Sequence, residues 1–437
     1  MTLITLLLAV LALILLITAV KLHPFIAFLI VCILTGLSRG MDISQVIGSV
    51  QRGIGDLMGS LLIILCTGAM LGKLVADSGA ADKIASGLIK AFGIKHIQWA
   101  LVLTAFIVGI PLFYGVGFVL LVPLVIAVAD KYKLPAVYLG LPTLAALSVT
   151  HGYLPPHPSP VALSEQFHAD IGMTLFYGLM IVVPAIIIAG PVFSVTLKKY
   201  TSKPLAVFTN HSVPEEQQPG MTASLSAAFL PVIFIAADTI VKISFPQKNS
   251  FTHILHILGE PSIAMLVSLL IAIYTLGIRQ GKNIKTIMAP MGDAVKDISY
   301  ILLIIAGAGA FKQILTDTNI SSELIQPLTH LSVHPLLLAW IIAAIIRVSI
   351  GSATVAGLTA AGIVAPMIAA SGVNPALMVL ATGAGSLMFS HVNDPGFWMF
   401  KEYFNLTVKE TIKTWSIMET IVSVIGLIGV FIINYFI

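Results

Sequence analysis

The sequence predicts an all-α polytopic membrane protein made of two inverted-topology repeats, each with about five membrane crossings, a re-entrant hairpin and a broken helix. Hydrophobic residues make up 58% of the 437 residues and charged residues only 10%, whereas a soluble domain has about 25% charged residues. Apolar runs of about 20 residues, long enough to span a bilayer, recur along the whole chain. The two halves of the chain also contain matching motifs in the same order.

The internal repeat is indicated by matched positions that are 240 residues apart. The matched pairs are Pro135 with Pro375, His151 with His391, and Asp77 with Asp317. Apolar composition alone does not place His, Pro and Asp residues at one constant spacing, so the pattern indicates a duplicated unit. We therefore predict a first repeat over 1–199, a linker over 200–221 and a second repeat over 222–437.

Each repeat is predicted to contain the same succession of elements. For the first repeat, the apolar pattern predicts helices at about 2–20, 24–40 and 51–77, an amphipathic stretch at 81–92, an interrupted stretch at 96–130, a helix from 134 that breaks at 151–158, and a last span at 172–197. For the second repeat, it predicts spans at about 222–242, 258–279, 291–316, 335–371, 374–397 and 412–437.

The interrupted stretches are predicted to be re-entrant hairpins, which enter and leave the membrane on one side. Each has about the length of two half-helices around a glycine-rich middle, at 109–117 in the first repeat and 351–357 in the second. Five crossings and one such hairpin give each repeat an odd number of crossings. The second repeat must then insert with the opposite orientation.

The distribution of basic residues predicts the orientation of the chain. With the N-terminus outside, fifteen Lys and Arg residues fall on the cytoplasmic side, and only Arg39, Arg52, Lys242 and Lys248 fall outside. Cytoplasmic loops of membrane proteins have an excess of basic residues. We therefore expect both termini outside and the linker over 200–221 in the cytoplasm.

Several functional classes are disfavoured by the sequence. The net charge of +4 is spread over loops, which argues against a nucleic-acid surface. Cys32 and Cys66 both lie in apolar spans, so a disulfide framework is not expected. The sequence has no glycine-rich phosphate loop, no zinc cluster and no His-Glu-x-x-His pattern, so we predict neither an enzyme nor a bound cofactor or metal.

Four segments interrupt predicted helices at membrane depth: the two hairpin tips and the two helix breaks. Backbone groups freed there must be buried in protein or line a polar cavity. In an inverted repeat these segments meet near the bilayer midplane, where half-helix N-termini direct N–H groups and positive dipole ends at one point. This arrangement predicts a binding site for a small anionic substrate.

The first break, over 151–158, combines two histidines with consecutive prolines. Pro155 and Pro156 remove two backbone donors and end the helix, while His151 and His157 supply hydrogen-bonding or titratable groups. The alternative is a proline-rich surface loop with solvated histidines. The matched break in the second repeat favours a role in binding.

The second break contains Asp394, and an ionisable residue at membrane depth is a functional candidate. Asp394 either carries the coupling proton or caps the half-helix that follows, and His391 is close enough along the chain to pair with it. At the second hairpin tip, Ser352 and Thr354 either bind substrate hydroxyls or bond back to helix carbonyls. Arg347 either pairs with a substrate carboxylate or extends to the membrane interface.

These segments together supply the candidate site residues. Those predicted to bind substrate are Tyr114, Gly115, Gly117, His151, Gly152, His157, Gly351, Ser352, Thr354, His391 and Asn393. Those predicted to couple transport to protons are Asp394 and His391.

The segments Thr150 to Pro158, Ser390 to Asp394 and Gly68 to Leu74 resemble the gluconate permease (GntP) family, and the similarity extends along essentially the whole chain. The family belongs to the larger ion transporter superfamily. The resemblance implies a secondary active transporter of the bacterial cytoplasmic membrane that takes up gluconate or a similar sugar acid with protons. It also implies a homodimer in which a transport part moves like an elevator against a scaffold.

Two points leave the substrate and the coupling ion open. Relatives in this family transport other small hydroxy or amino acids, including D-serine, and related folds bind sodium at glycine-rich tips. A sodium-coupled carboxylate symporter, or a D-serine or hydroxy-acid symporter, is therefore the alternative. At the first hairpin tip Gly115 follows Tyr114, where many family members have an acidic or amide residue, which puts coupling and specificity at this tip in doubt.

Overall fold

The regular structure of the described residues is entirely helical, as the sequence predicts. The structure is a computed structural model, and it describes residues 2–112, 114–200, 213–244, 250–323, 333–392 and 394–437. Most of the predicted linker and the predicted site residue Asn393 lie outside this part of the chain.

The first half of the chain ends with a broken helix and a long terminal helix. Its helices are α1 (Thr2–Thr18), α2 (Pro24–Ser38), α3 (Ile43–Asp77), α4 (Ala80–Phe92), α5 (Ile97–Gly109), α6 (Tyr114–Tyr132), α7 (Ala136–Tyr153), α8 (Pro158–Phe167) and α9 (Ile171–Leu197). The last of these contains a π-helical turn at Ile188–Val192.

The second half also contains a long helix, α13, and a broken helix before its last long helix. Its helices are α10 (Met221–Ser244), α11 (Ser250–Gly259), α12 (Pro261–Gln280), α13 (Ile284–Asp317), α14 (Pro335–Ile350), α15 (Ala353–Ser371), α16 (Pro375–Ser386), α17 (Pro395–Tyr403) and α18 (Val408–Phe436). Helix α18, like α9, contains a π-helical turn, at Ile412–Ser416. The relative orientation of the two halves in a membrane stays a prediction.

The chain is a multi-pass membrane protein by the length and composition of its helices. Five helices of the described part are long and apolar enough to cross a bilayer: α3, α9, Met221–Val241 within α10, α12 and α18. The number rises to seven if two bent pairs are each counted as one span. Those pairs are Ala80–Phe92 with Ile94–Gly109, bent by 114°, and Ile284–Tyr300 with Leu302–Asp317, bent by 41°.

Local capping explains where the two longest helices begin. Helix α3 starts at Ile43, earlier than predicted, because Asp42 and Gln45 form a reciprocal capping box. Helix α13 also starts earlier than predicted, since the Asn283 side chain accepts a hydrogen bond from the N–H of Thr286. Helix α11 was not expected, and the helix predicted from 258 begins as α12 at Pro261.

Helices α3 and α13 pack against each other through a close contact between two glycines. A Cβ atom on Gly53 would lie 2.4 Å from the carbonyl oxygen of Gly309, and a Cβ on Gly309 would lie 2.4 Å from that of Gly53. Real Cβ atoms do not approach oxygen so closely, so both positions need glycine. Small residues permit such close helix packing in membranes, where the hydrophobic effect does not hold helices together.

The glycine contact predicts a clear difference between two substitutions on one helix. Gly53→Val places a branched side chain against the α13 backbone and should destabilise the protein by about 1–3 kcal/mol, lowering its melting temperature in detergent by roughly 3–10 °C. Gly55→Val is the matched control, because a Cβ at exposed Gly55 meets no atom within 4 Å. Equal melting temperatures for the two variants would contradict the packing described here.

Candidate functional site

A cavity of the described structure has a volume of about 760 Å³ and lies where the four interrupted segments meet. The predicted site residues that line it are Tyr114, Gly115, His151, Gly351, Ser352, Thr354 and Asp394. Each of the four interrupted segments contributes at least one of these residues. Lys21 and Asp297 also line the cavity, and both side chains are exposed to solvent.

Three helices begin at this cavity. Helix α6 presents its first residues Tyr114 and Gly115, α15 begins beside Ser352, and α17 begins beside Asp394. The first N–H groups of a helix lack partners within the helix, and the helix dipole gives this end a partial positive charge. The cavity therefore combines several features that favour an anion.

The tip between α14 and α15 depends on a glycine with a left-handed backbone. Gly351 has φ +83°, which L side chains rarely adopt, and its N–H bonds to the carbonyl of Arg347 at 2.8 Å. The next residue, Ser352, caps α15 by accepting a bond from the N–H of Val355 at 3.3 Å. Thr354 is buried and faces the same cavity.

Arg347 and Asp394 form a buried ion pair at the wall of the cavity. The side chain of Arg347 is 4% exposed and that of Asp394 is 13% exposed. Arg347 is thus paired inside the protein and does not reach the membrane interface. Its Nε atom is buried and has no hydrogen-bond partner among the described residues, so the guanidinium retains a donor.

Asp394 also belongs to a hydrogen-bond network that joins three helices. Its Oδ1 atom accepts a bond from the N–H of Gly396 at 2.8 Å, so the residue does cap α17. Its Oδ2 atom accepts a bond from the Ser390 hydroxyl, which in turn accepts one from Trp415 Nε1 at 2.7 Å.

His391 does not pair with Asp394. Its Nε2 atom lies 2.9 Å from the carbonyl oxygen of Val348, and the residue does not line the cavity. The sequence placed these two residues close together along the chain, but the turn before α17 directs the histidine towards the α14 backbone. The carboxylate pairs with Arg347 instead.

The two histidines of the first break occupy different environments. His151 lines the cavity, its ring lies 5.7 Å from that of Tyr114, and its buried Nδ1 has no hydrogen-bond partner in the described structure. His157 lies behind it, with ring centroids 5.6 Å apart, and its Nε2 atom is 2.7 Å from the carbonyl oxygen of Gly109. His157 therefore ties the first break to the end of α5.

Two predicted glycines lie outside the cavity wall and serve packing. A Cβ on Gly152 would lie 2.4 Å from Leu387, and a Cβ on Gly383 would lie 2.5 Å from the carbonyl oxygen of Gly152. The two broken helices α7 and α16 therefore touch at this point. Gly117 is buried, and a Cβ there would lie 3.1 Å from Leu147.

The sequence analysis missed Glu419, which lies in the span α18 and lines the cavity. The residue is 2% exposed, and its Oε1 atom accepts a hydrogen bond from Ser148 of α7. An acidic residue within an apolar span is itself a signal of function. Glu419 lies in a continuous helix and not in one of the four interrupted segments.

Comparisons with known proteins show the family of the chain. A family model described as GntP family permease matches residues 1–436. The high-affinity gluconate transporter of Escherichia coli (strain K12) is 47% identical over 99% of this chain and 99% of its own length. The Gnt-II system L-idonate transporter of the same organism is 48% identical over 95% of this chain and 94% of its own length. The gluconate permease of Bacillus subtilis (strain 168) is 45% identical over 98% of both chains.

Solved structures share the fold at low sequence identity. The Alcanivorax borkumensis YdaH transporter has a TM-score of 0.67 at 17% identity, over 94% of this chain and 98% of that one. The structure of Neisseria gonorrhoeae MtrF has a TM-score of 0.62 at 12% identity, over 93% of each chain. Since the family model and the curated relatives match along the whole length, the chain belongs to the GntP permease family and is a membrane transporter, not an enzyme.

Proposed function

We propose that this protein takes up gluconate or a closely similar sugar acid across the bacterial cytoplasmic membrane by proton symport. The support comes from relatives named as gluconate and L-idonate transporters. Both names denote acids with one carboxylate and a chain of hydroxyl groups. A cavity of about 760 Å³ also falls within the range of small-molecule sites, roughly 300–1,000 Å³.

The observation that supports an acid substrate best is the Arg347–Asp394 ion pair beside three helix N-termini. Arg347 is the buried cation of the cavity wall, and an arginine fork matches a carboxylate in geometry as well as charge. The substrate carboxylate binds to Arg347 in place of Asp394. The polar side chains of Ser352, Thr354 and His151 then face the hydroxyl groups.

The same ion pair supplies the coupling to protons. A buried charge without a partner is strongly destabilising, so only neutral combinations move easily through a water-free state. The empty carrier is neutral with Arg347 paired to ionised Asp394. The loaded carrier is neutral with Arg347 paired to the substrate and Asp394 protonated. A proton and an anion therefore move together, one to one.

We propose for the overall arrangement what the sequence leads us to expect. Residues 1–199 and 222–437 form inverted repeats, α5–α6 and α14–α15 are re-entrant hairpins, and the tips meet at the substrate. Both termini lie outside, and the linker over 200–221 is cytoplasmic. As the family resemblance implies, the protein works as a homodimer that moves its substrate site like an elevator.

Replacing Asp394 by asparagine should separate exchange from net uptake. In Asp394→Asn the carrier can bind substrate at Arg347, but the empty carrier then holds an unpaired charge and cannot return. We expect accumulation of labelled gluconate in proteoliposomes to be lost, while exchange against internal gluconate continues. Asp293→Asn, at an exposed aspartate paired with Lys296, is the control. Normal accumulation by Asp394→Asn would exclude this role.

Because the empty and the loaded carrier are both neutral in this scheme, the scheme also predicts which gradient drives uptake. A pH gradient, inside alkaline, should drive gluconate uptake, whereas a membrane potential set by potassium and valinomycin should not. Replacing external sodium by a large organic cation should leave the rate unchanged. Uptake that requires sodium, or that follows the potential at constant pH, would contradict proton symport with this stoichiometry and favour the sodium-coupled alternative.

Removing both members of the ion pair should leave the protein folded but unable to bind its substrate. Arg347→Gln alone removes the cation that pairs with Asp394, and breaking a buried ion pair in this way costs about 3–5 kcal/mol. The double variant Arg347→Gln/Asp394→Asn removes both charges and should recover most of that stability. Thermal-shift measurements with and without gluconate check this. A gluconate-dependent shift in the double variant equal to that of the unmodified protein would show that the carboxylate binds elsewhere.

A further inference from the structure

Glu419 is the buried acid of the cavity that the coupling scheme does not use. It projects from α18, is 2% exposed, and accepts a hydrogen bond from the hydroxyl of Ser148. Within the described part of the chain it forms no salt bridge, and the cation that faces the cavity from α14 is already paired with Asp394. The same wall therefore has two carboxyl groups and one buried cation.

The charges of the surrounding groups decide whether the Glu419 carboxyl group is protonated or ionised. The titratable and charged groups that line the cavity with it are Tyr114, His151, Arg347, Asp394, Lys21, Asp297 and Tyr300. Tyr153 lies nearby and donates to the carbonyl of Val422. Of these, Lys21 and Asp297 are exposed and screened by water. The buried groups whose charges must cancel are therefore Arg347, the two acids and the substrate anion.

The requirement that the buried groups have no net charge gives Asp394 and Glu419 different roles. In the loaded carrier the substrate neutralises Arg347, so both acids must be protonated. In the empty carrier only one acid can be ionised, and that is Asp394, which contacts the guanidinium, Ser390 and the N–H of Gly396. Glu419 consequently holds its proton in both states.

We propose that Glu419 remains protonated throughout the transport cycle and donates its O–H group to a hydroxyl of the bound sugar acid. Ser148 fixes the carboxyl by bonding to its other oxygen. Ser148 and His151 are three residues apart on α7, hence on one face of that helix, and both line the cavity with Glu419. These groups form the part of the cavity wall that binds substrate hydroxyl groups, and the assignment rests on the proposed function.

A wall that bonds substrate hydroxyl groups rejects acids that lack them. A site whose buried polar groups are left unpaired by a smaller analogue discriminates strongly against that analogue. We therefore expect the unmodified protein to prefer gluconate to hexanoate, an acid of the same chain length without hydroxyl groups. Glu419 is thus a residue that determines specificity.

Two substitutions at Glu419 separate a fixed donor from a proton carrier. Glu419→Gln keeps a neutral donor of the same shape, so concentrative gluconate uptake and its pH profile should be retained, with KM within about threefold. Glu419→Met keeps the size but removes the hydrogen bond, so KM should rise about 10–100-fold and the preference over hexanoate should fall. Glu402→Gln, at an exposed glutamate beside Lys401, is the control.

The outcomes distinguish this role from others. Loss of concentrative uptake in Glu419→Gln, with exchange intact, would show that Glu419 releases its proton in each cycle and would overturn the proposal. An unchanged KM in Glu419→Met would overturn it too. If the unmodified protein takes up no sugar acid, the proposed function itself fails, and the role of Glu419 with it.

Infrared spectroscopy gives a readout that does not depend on transport. The unmodified protein without substrate should show the carbonyl band of a protonated carboxylic acid at about pH 8, well above the usual pKa of a glutamate. The band should be missing in Glu419→Gln and present in Glu402→Gln. If the unmodified protein lacks this band at that pH, Glu419 is ionised and the proposal is wrong.

Discussion

Charge neutrality inside a membrane is the constraint on which the site depends. Arg347 is buried and cannot lose its proton, so the protein must always place one negative charge beside it. In the structure that charge is Asp394. In our proposal, the ion pair keeps the cation neutralised until a substrate anion takes the place of the Asp394 carboxylate. Binding, coupling and the protonation of Glu419 all follow, in our proposal, from this single requirement.

The interrupted helices are what bring this chemistry to membrane depth. A continuous helix satisfies its own backbone and offers only side chains, whereas a helix that begins inside the protein offers free N–H groups. Helices α6, α15 and α17 all begin at the cavity. Close packing supports these breaks: α7 touches α16 at Gly152 and Gly383, and His157 bonds the first break to α5. The glycines and His157 therefore hold the breaks in place, while His151 and Asp394 face the substrate space.

The sequence predicted the all-helical class and the four interrupted segments, because proline, glycine and ionisable residues are conspicuous within apolar runs, whereas the inverted repeats stay a prediction. The sequence did not predict which side chains contact one another in the folded protein. Arg347 and Asp394 lie 47 residues apart and meet only after α14 and α17 are packed. His391 is nearer to Asp394 along the chain, yet the turn before α17 directs its side chain to the carbonyl oxygen of Val348. Likewise the sequence is compatible with Gly152 either binding substrate or packing against another helix. Only the position of α16 shows that Gly152 packs against that helix.

The charge balance also bears on the kind of acid that such a site accepts. One buried cation neutralises one carboxylate, and a second carboxylate would meet protonated Glu419 and helix ends, which offer hydrogen bonds but no full positive charge. A dianion would therefore leave an uncompensated charge in the closed cavity, at a cost of several kcal/mol. Hydroxyl groups, by contrast, are satisfied by donors and acceptors such as Ser148, Thr354 and His151, which line the cavity. In our proposal, the same residues that couple transport to one proton thus favour an acid with one carboxylate and many hydroxyls.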